Sequence, residues 1–151
     1  MGLFPSEKAQ IMIQSIMNKT LTLDKEKLLF LTQKYHISLI ILFGSLAKGT
    51  PKEDSDIDLG VALKRPIRDE QELELLMDFV NLLKTDSLDL VILNYAPPLL
   101  LFQAAKSGIA IFEKNRSDFM RFKLRAFKKY WETRKFRDMR NTYLNKLVSR
   151  V

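Results

Sequence analysis

The sequence predicts a mixed α/β (α+β) fold: a small mixed sheet flanked by helices, with one long C-terminal helix. Three observations carry this. Apolar, strand-length runs recur at "HISLIILF", "SDIDLGVAL", "SLDLVILN" and "IAIFE". Segments with helical apolar spacing lie between and before them. About 30 residues after Ser117 read as one helix, roughly 45 Å long at 1.5 Å per residue.

The elements follow in order. Ser6 caps a first helix, with Ile11, Ile13, Ile16 and Met17 as its apolar positions. Asp24 caps a second, where Leu28, Leu31 and Tyr35 recur at helical spacing. "HISLIILF" is a strand ending at Phe43, and "GSLAKGTPKED" is a turn with room for one helical turn. "SDIDLGVAL" alternates polar and apolar residues, as a half-buried strand does. Residues 69–83 form an amphipathic helix with Leu73, Leu76, Met77, Val80 and Leu83 on one side. "SLDLVILN" is the third strand. Pro97 and Pro98 open a helix to about Lys106, Gly108 ends it, and "IAIFE" is the fourth strand. Ser117 caps the last helix. There is no internal repeat or clear linker. Residues 1–151 therefore read as one domain, with a core at about 21–113 and a basic helix at about 117–147.

Composition bounds the function. The 151 residues suit one domain with one core, and 46% are hydrophobic, too many for a disordered chain. With no cysteine, disulfides and thiolate metal sites are excluded, which fits a cytoplasmic protein. No apolar run reaches bilayer length, and the N-terminal segment lacks the pattern of a signal peptide. "MGLFPS" fits N-myristoylation at Gly2, a pattern short enough to match by chance. The net charge of +7 is uneven: residues 116–151 hold 12 Lys/Arg and 3 Asp/Glu, leaving the remainder slightly acidic. A body with a basic surface element is the pattern this implies.

Two acids stand out. Asp56 and Asp58 flank Ile57 in an apolar run, and residues two apart on a strand share a face. Asp89 sits in a similar run between Leu88 and Leu90. If those strands are neighbours, three carboxylates converge. Such a cluster, with no histidine or cysteine, suits a hard cation bound through oxygen, above all Mg²⁺. Two such ions would activate an attacking oxygen and stabilise a leaving pyrophosphate. Ahead of the acids, Gly44 lets the backbone approach a phosphate, Ser45 adds a hydroxyl donor and Lys48 adds charge.

Two rival motifs fail on spacing. A calcium loop needs glycine one position before Gly60 and glutamate where Arg65 stands. A P-loop needs lysine where Thr50 stands. His36, the single histidine, has no partner ligand in the sequence and reads as structural. Asn94 and Tyr95 read as turn residues after the third strand. Phe119, Phe122, Phe127, Tyr130, Trp131, Phe136, Met139 and Tyr143 interleave with the basic residues of the last helix. They can pack on the body, form a partner interface or stack on nucleic-acid bases.

Gly44-Ser45, ten intervening residues and Asp56-Ile57-Asp58 resemble the signature of the nucleotidyltransferase superfamily typified by DNA polymerase β. The longer run Gly44-Ser45-Leu46-Ala47-Lys48-Gly49 and the string "SDIDL" fit as well, most closely its minimal nucleotidyltransferase (MNT) branch. "LDLVILNYAPPLL" is similar to the segment carrying the family's third acid, which maps to Asp89. The resemblance implies a polymerase β-type core that transfers a nucleoside monophosphate, AMP from ATP, to a hydroxyl. It implies catalytic and metal-binding roles for Asp56, Asp58 and Asp89, and nucleotide binding by Gly44, Ser45 and Lys48. Many MNT proteins are antitoxins paired with a HEPN toxin, silenced by AMP transfer to a tyrosine. The partners expected are thus a HEPN-type protein and a nucleotide, with weak RNA binding through the basic helix and a homo-oligomer as further options, and no membrane. A partner-neutralising protein acting by occlusion and an accessory nucleic-acid-binding domain are the alternative functions.

Overall fold

The computed structural model of the chain describes residues 24–45, 47, 48 and 56–150. The helix expected after Ser6 and the Gly2 pattern lie outside them. The described elements are α1 (Lys25–Lys34), β1 (Ile37–Phe43), β2 (Ile57–Leu63), α2 (Asp69–Leu83), β3 (Leu88–Ile92), α3 (Pro98–Ser107), β4 (Ile109–Glu113) and α4 (Asp118–Ser149).

The four strands form one mixed sheet in the order β3-β2-β1-β4. β1 runs antiparallel to β2 and to β4, while β2 and β3 are parallel. A parallel pair needs a crossover, and α2 supplies it. The sheet separates two apolar layers. Ile40 and Leu42 of β1, with Ile57, Leu59, Val61 and Leu63 of β2, pack towards α1 and α2. Leu39, Ile41 and Phe43 pack on the opposite face, with Leu101 and Ala104 of α3 and Phe122 and Ala126 of α4. This is the period-two alternation of a central strand buried on both faces.

Local chemistry sets the boundaries. The Asp24 carboxylate caps α1, accepting from the N–H groups of Glu26 at 3.1 Å and Lys27 at 3.3 Å. Tyr35 follows α1, and its hydroxyl donates to Asp78 of α2 at 2.6 Å, where Lys34 also donates at 2.9 Å. This network ties α1 to α2. Pro97 is the N-cap of α3 and Pro98 its first residue, where a missing N–H costs nothing.

Two expectations need correction. The buried residues of α2 are Leu75, Phe79 and Leu83, while Leu73 and Met77 are exposed. The helix carries more than one apolar stripe, and the one containing bulky Phe79 faces the sheet. Ser117 is the N-cap residue of α4, but its side chain makes no capping bond. Glu113 does the work instead, accepting from the Phe119 N–H at 2.9 Å, while Asp118 accepts from the Asn115 N–H at 2.7 Å.

At 32 residues, α4 spans about 48 Å. Its first half lies on the body: Phe122 and Ala126 are buried, and Tyr130 stacks on Phe102 of α3 at 4.0 Å between ring centroids. Beyond Tyr130 the aromatic residues turn out to be solvent-facing, with Trp131, Phe136 and Tyr143 all exposed.

Candidate active site

β1 and β2 are antiparallel neighbours, so the end of β1 and the start of β2 meet at one end of the sheet. Phe43 is the register partner of Asp58. The chain leaves β1 through Gly44 at φ 78°, a left-handed conformation that favours glycine. A Cβ added there would overlap Oδ2 of Asp58 and stand 3.0 Å from its Cγ. Gly44 thus does two things: it turns the chain and leaves room for the Asp58 carboxylate. The Lys48 N–H then donates to the Gly44 carbonyl at 3.2 Å. Ser45 is half-buried beside it, and the Lys48 side chain is exposed.

Ile57 and Leu59 point into the α1/α2 layer, so Asp58 projects from the opposite face. Asp89 is the register partner of Asp58 across the parallel β2–β3 pair and so shares that face. Strands lie about 4.8 Å apart, which sets two carboxyl groups side by side. Asp56 immediately precedes β2 and is exposed.

Asp58 bears the electrostatic consequence. Its carboxyl is held above the ordinary carboxylate range, first by burial, then by the negative charges of Asp89 and Asp56 and by a hydrogen-bonding contact with Asp89. Like charges gathered in a half-buried place are costly without a cation. The donor set therefore fits a hard divalent ion: oxygen ligands only, carrying excess negative charge.

The expected three-carboxylate cage is not closed. Among the described residues no three His, Asp or Glu side chains form a ready metal-binding group. The acids instead form a close pair on adjacent strands, with a third beside it. Mg²⁺ needs no complete protein cage, because it is held by one or two carboxylates plus substrate phosphates and water.

Asn94 and Tyr95 do not enter this site. The Asn94 carboxamide accepts from the Leu63 N–H and donates to the Leu63 carbonyl, both at 2.8 Å, pinning the far ends of β2 and β3. Tyr95 is exposed in the turn that follows. His36 is exposed at the α1–β1 junction with φ 53°, and its carbonyl accepts from the Lys64 N–H at 2.9 Å, a backbone role.

Comparison with known proteins gives three findings. The family model described as polymerase beta, nucleotidyltransferase matches residues 26–117. No curated protein matches the chain at a significant level. Several solved structures share the fold. A toxin–antitoxin crystal structure with AMP-PNP superposes at a TM-score of 0.66 and 24% identity, covering 83% of this chain and 99% of that one. A structure of a tri-AMPylated Shewanella oneidensis HEPN toxin in complex with its MNT antitoxin gives 0.63 and 21%, over 85% and 99%. A MntA–HepT toxin–antitoxin structure gives 0.60 and 22%, over 82% and 95%.

Proposed function

Because the chain belongs to the polymerase beta nucleotidyltransferase family, we propose that it transfers a nucleoside monophosphate, AMP from ATP, to a hydroxyl of a protein partner. The observation that carries this is the pairing of Asp58 with Asp89 against the Gly44 turn. The paired acids and the Gly44 turn lie at one end of one sheet, which supports a cation and a phosphate bound side by side there.

In this reading Asp56 and Asp58 hold Mg²⁺, with Asp89 adjacent. When bound, the metal neutralises phosphate charge and eases departure of pyrophosphate. Gly44 and Ser45 receive the triphosphate, and Lys48 adds charge. Asp89 takes the proton from the acceptor hydroxyl. The acceptor oxygen forms a bond to the α-phosphorus, and the bond from that phosphorus to the bridging oxygen of pyrophosphate breaks.

The acceptor in this proposal is a tyrosine of a HEPN-type toxin, and the chain acts as its antitoxin in the cytoplasm. Support comes from the fold shared with antitoxins in toxin–antitoxin complexes, one with AMP-PNP and one with a tri-AMPylated toxin. Neutralisation by occlusion is a second reading. It is favoured by the exposed Trp131, Phe136 and Tyr143 set among the cations of α4.

Calorimetry of ATP binding tests the site. Affinity should require Mg²⁺, and Ser45→Ala should weaken binding or turnover about 10- to 150-fold, the worth of one hydrogen bond to a charged group. Unchanged affinity together with unchanged turnover would remove Ser45 from the site.

A further inference from the structure

A second candidate site lies at the other end of the sheet. From Asp58 to Lys64, β2 carries the chain about 20 Å away from the paired acids. There the ends of β2 and β3 and the first turns of α4 enclose a cavity of about 430 Å³. Its floor is apolar, with Leu93, Leu101 and Phe122. Its rim is cationic, with Lys64, Arg121, Arg125 and Lys129. A second cavity of about the same volume shares Arg121 and Arg125, so these two side chains stand between adjoining hollows.

The cations here outnumber the acids that face them. Arg121, Arg125 and Lys129 recur at four-residue intervals along α4, a spacing at which like charges repel. None of them, nor Lys64, takes part in an ion pair among the described residues. Asp118 is the acid in the lining, and its carboxylate accepts from the Asn115 N–H. Lys114 lies against Lys64, and that contact, followed by the charge of Lys64, holds its ammonium below the usual lysine value. Four cations, Lys64 just after β2 and Arg121, Arg125 and Lys129 of α4, thus line one concave, partly apolar place, with Lys114 against Lys64.

We propose that this cavity binds a small phosphate-bearing ligand of mononucleotide size, its phosphate held by Lys64, Arg121 and Arg125 and its apolar or planar part laid against Leu93 and Phe122. Arginine favours phosphate through paired N–H groups. A concave volume of this size suits a small molecule better than a polymer lying across an open surface. The site is separate from the paired acids, needs no divalent metal and stands whether or not the chain transfers nucleotides.

The test uses the full chain in buffer containing EDTA, titrated with AMP and with adenosine by calorimetry. AMP should bind, adenosine should bind at least tenfold more weakly, and Arg121→Gln with Arg125→Gln should weaken AMP at least tenfold without lowering the melting temperature. Asp56→Asn with Asp58→Asn should leave AMP affinity unchanged. The proposal fails if AMP does not bind, or if adenosine binds equally well. It also fails if the arginine variant keeps full affinity, or if the aspartate variant loses it.

Discussion

Gly44 and Asp58 occupy space that only one of them can fill, since a Cβ on Gly44 would overlap the Asp58 carboxylate. Gly44→Ala therefore strains a left-handed backbone position, at about 1–2 kcal/mol, and also displaces Asp58. The expected result is a modest loss of thermal stability and a much larger loss of nucleotide turnover. Melting curves and turnover measured on the same sample check it. Turnover retained in proportion to stability would contradict it.

Asp58→Asn should stabilise the metal-free protein near neutral pH. The folded state raises the Asp58 pKa, so only between the ordinary carboxylate value and the raised one does the folded state hold a proton that the unfolded state has released. Stability from this group is full below the ordinary carboxylate value and falls as pH rises through the raised folded value. The variant escapes that loss. Its advantage should shrink as pH drops towards 4 and should vanish when Mg²⁺ is added to the parent. Denaturant unfolding across pH, with and without Mg²⁺, gives the comparison.

Most of this was legible in the sequence because the signals were local. Asp24, Pro98 and Gly108 mark helix ends by their own chemistry, and the alternation around Asp58 assigns its face. The pairing of Asp58 with Asp89 needed a further fact, that β2 and β3 are adjacent and parallel. The buried stripe of α2 was misread because Leu73 and Met77 match helical spacing as well as Leu75 and Phe79 do, and only packing decides. The cations around Lys64 and Arg121 lie 57 positions apart in sequence, so no local pattern announces their meeting.

The Tyr35–Asp78 hydrogen bond should be worth measurable stability. Burial opposes the charge on Asp78, yet the bonds from Tyr35 and Lys34 outweigh it and hold the carboxyl below its usual range. Tyr35→Phe should cost about 1.5–3 kcal/mol near neutral pH, the usual worth of a hydrogen bond to a charged group. Asp78 contributes stability above the ordinary carboxylate range and loses it as pH falls through its depressed folded value. The deficit of the variant should therefore narrow in acid. Tyr35 itself is pushed up to about 12, chiefly by burial and the Asp78 bond. The parent should lose stability from this group as pH climbs from about 10 through that value. Chemical denaturation at three pH values separates these effects.

The outer half of α4 should govern partner association. Exchanging Arg134, Lys135 and Arg140 for glutamate should slow association with a HEPN-type partner, most strongly at low salt, while Trp131→Ala should speed dissociation. Surface-bound kinetics across a salt series checks both. If the charge changes leave association untouched and abolish RNA binding instead, the partner reading of this surface is wrong.

In the proposed reading, Asp56 and Asp58 serve nucleotidyl transfer. The direct measurement incubates the chain and a HEPN-type partner with Mg²⁺ and ATP labelled either at the α- or at the γ-phosphate. The α-label should enter the partner with a mass gain of about 329 Da per added AMP, while the γ-label leaves as pyrophosphate. Asp56→Asn with Asp58→Asn should abolish transfer without unfolding the chain. Transfer of the γ-label, or α-label transfer at the parental rate by that double variant, would rule out this role for Asp56 and Asp58.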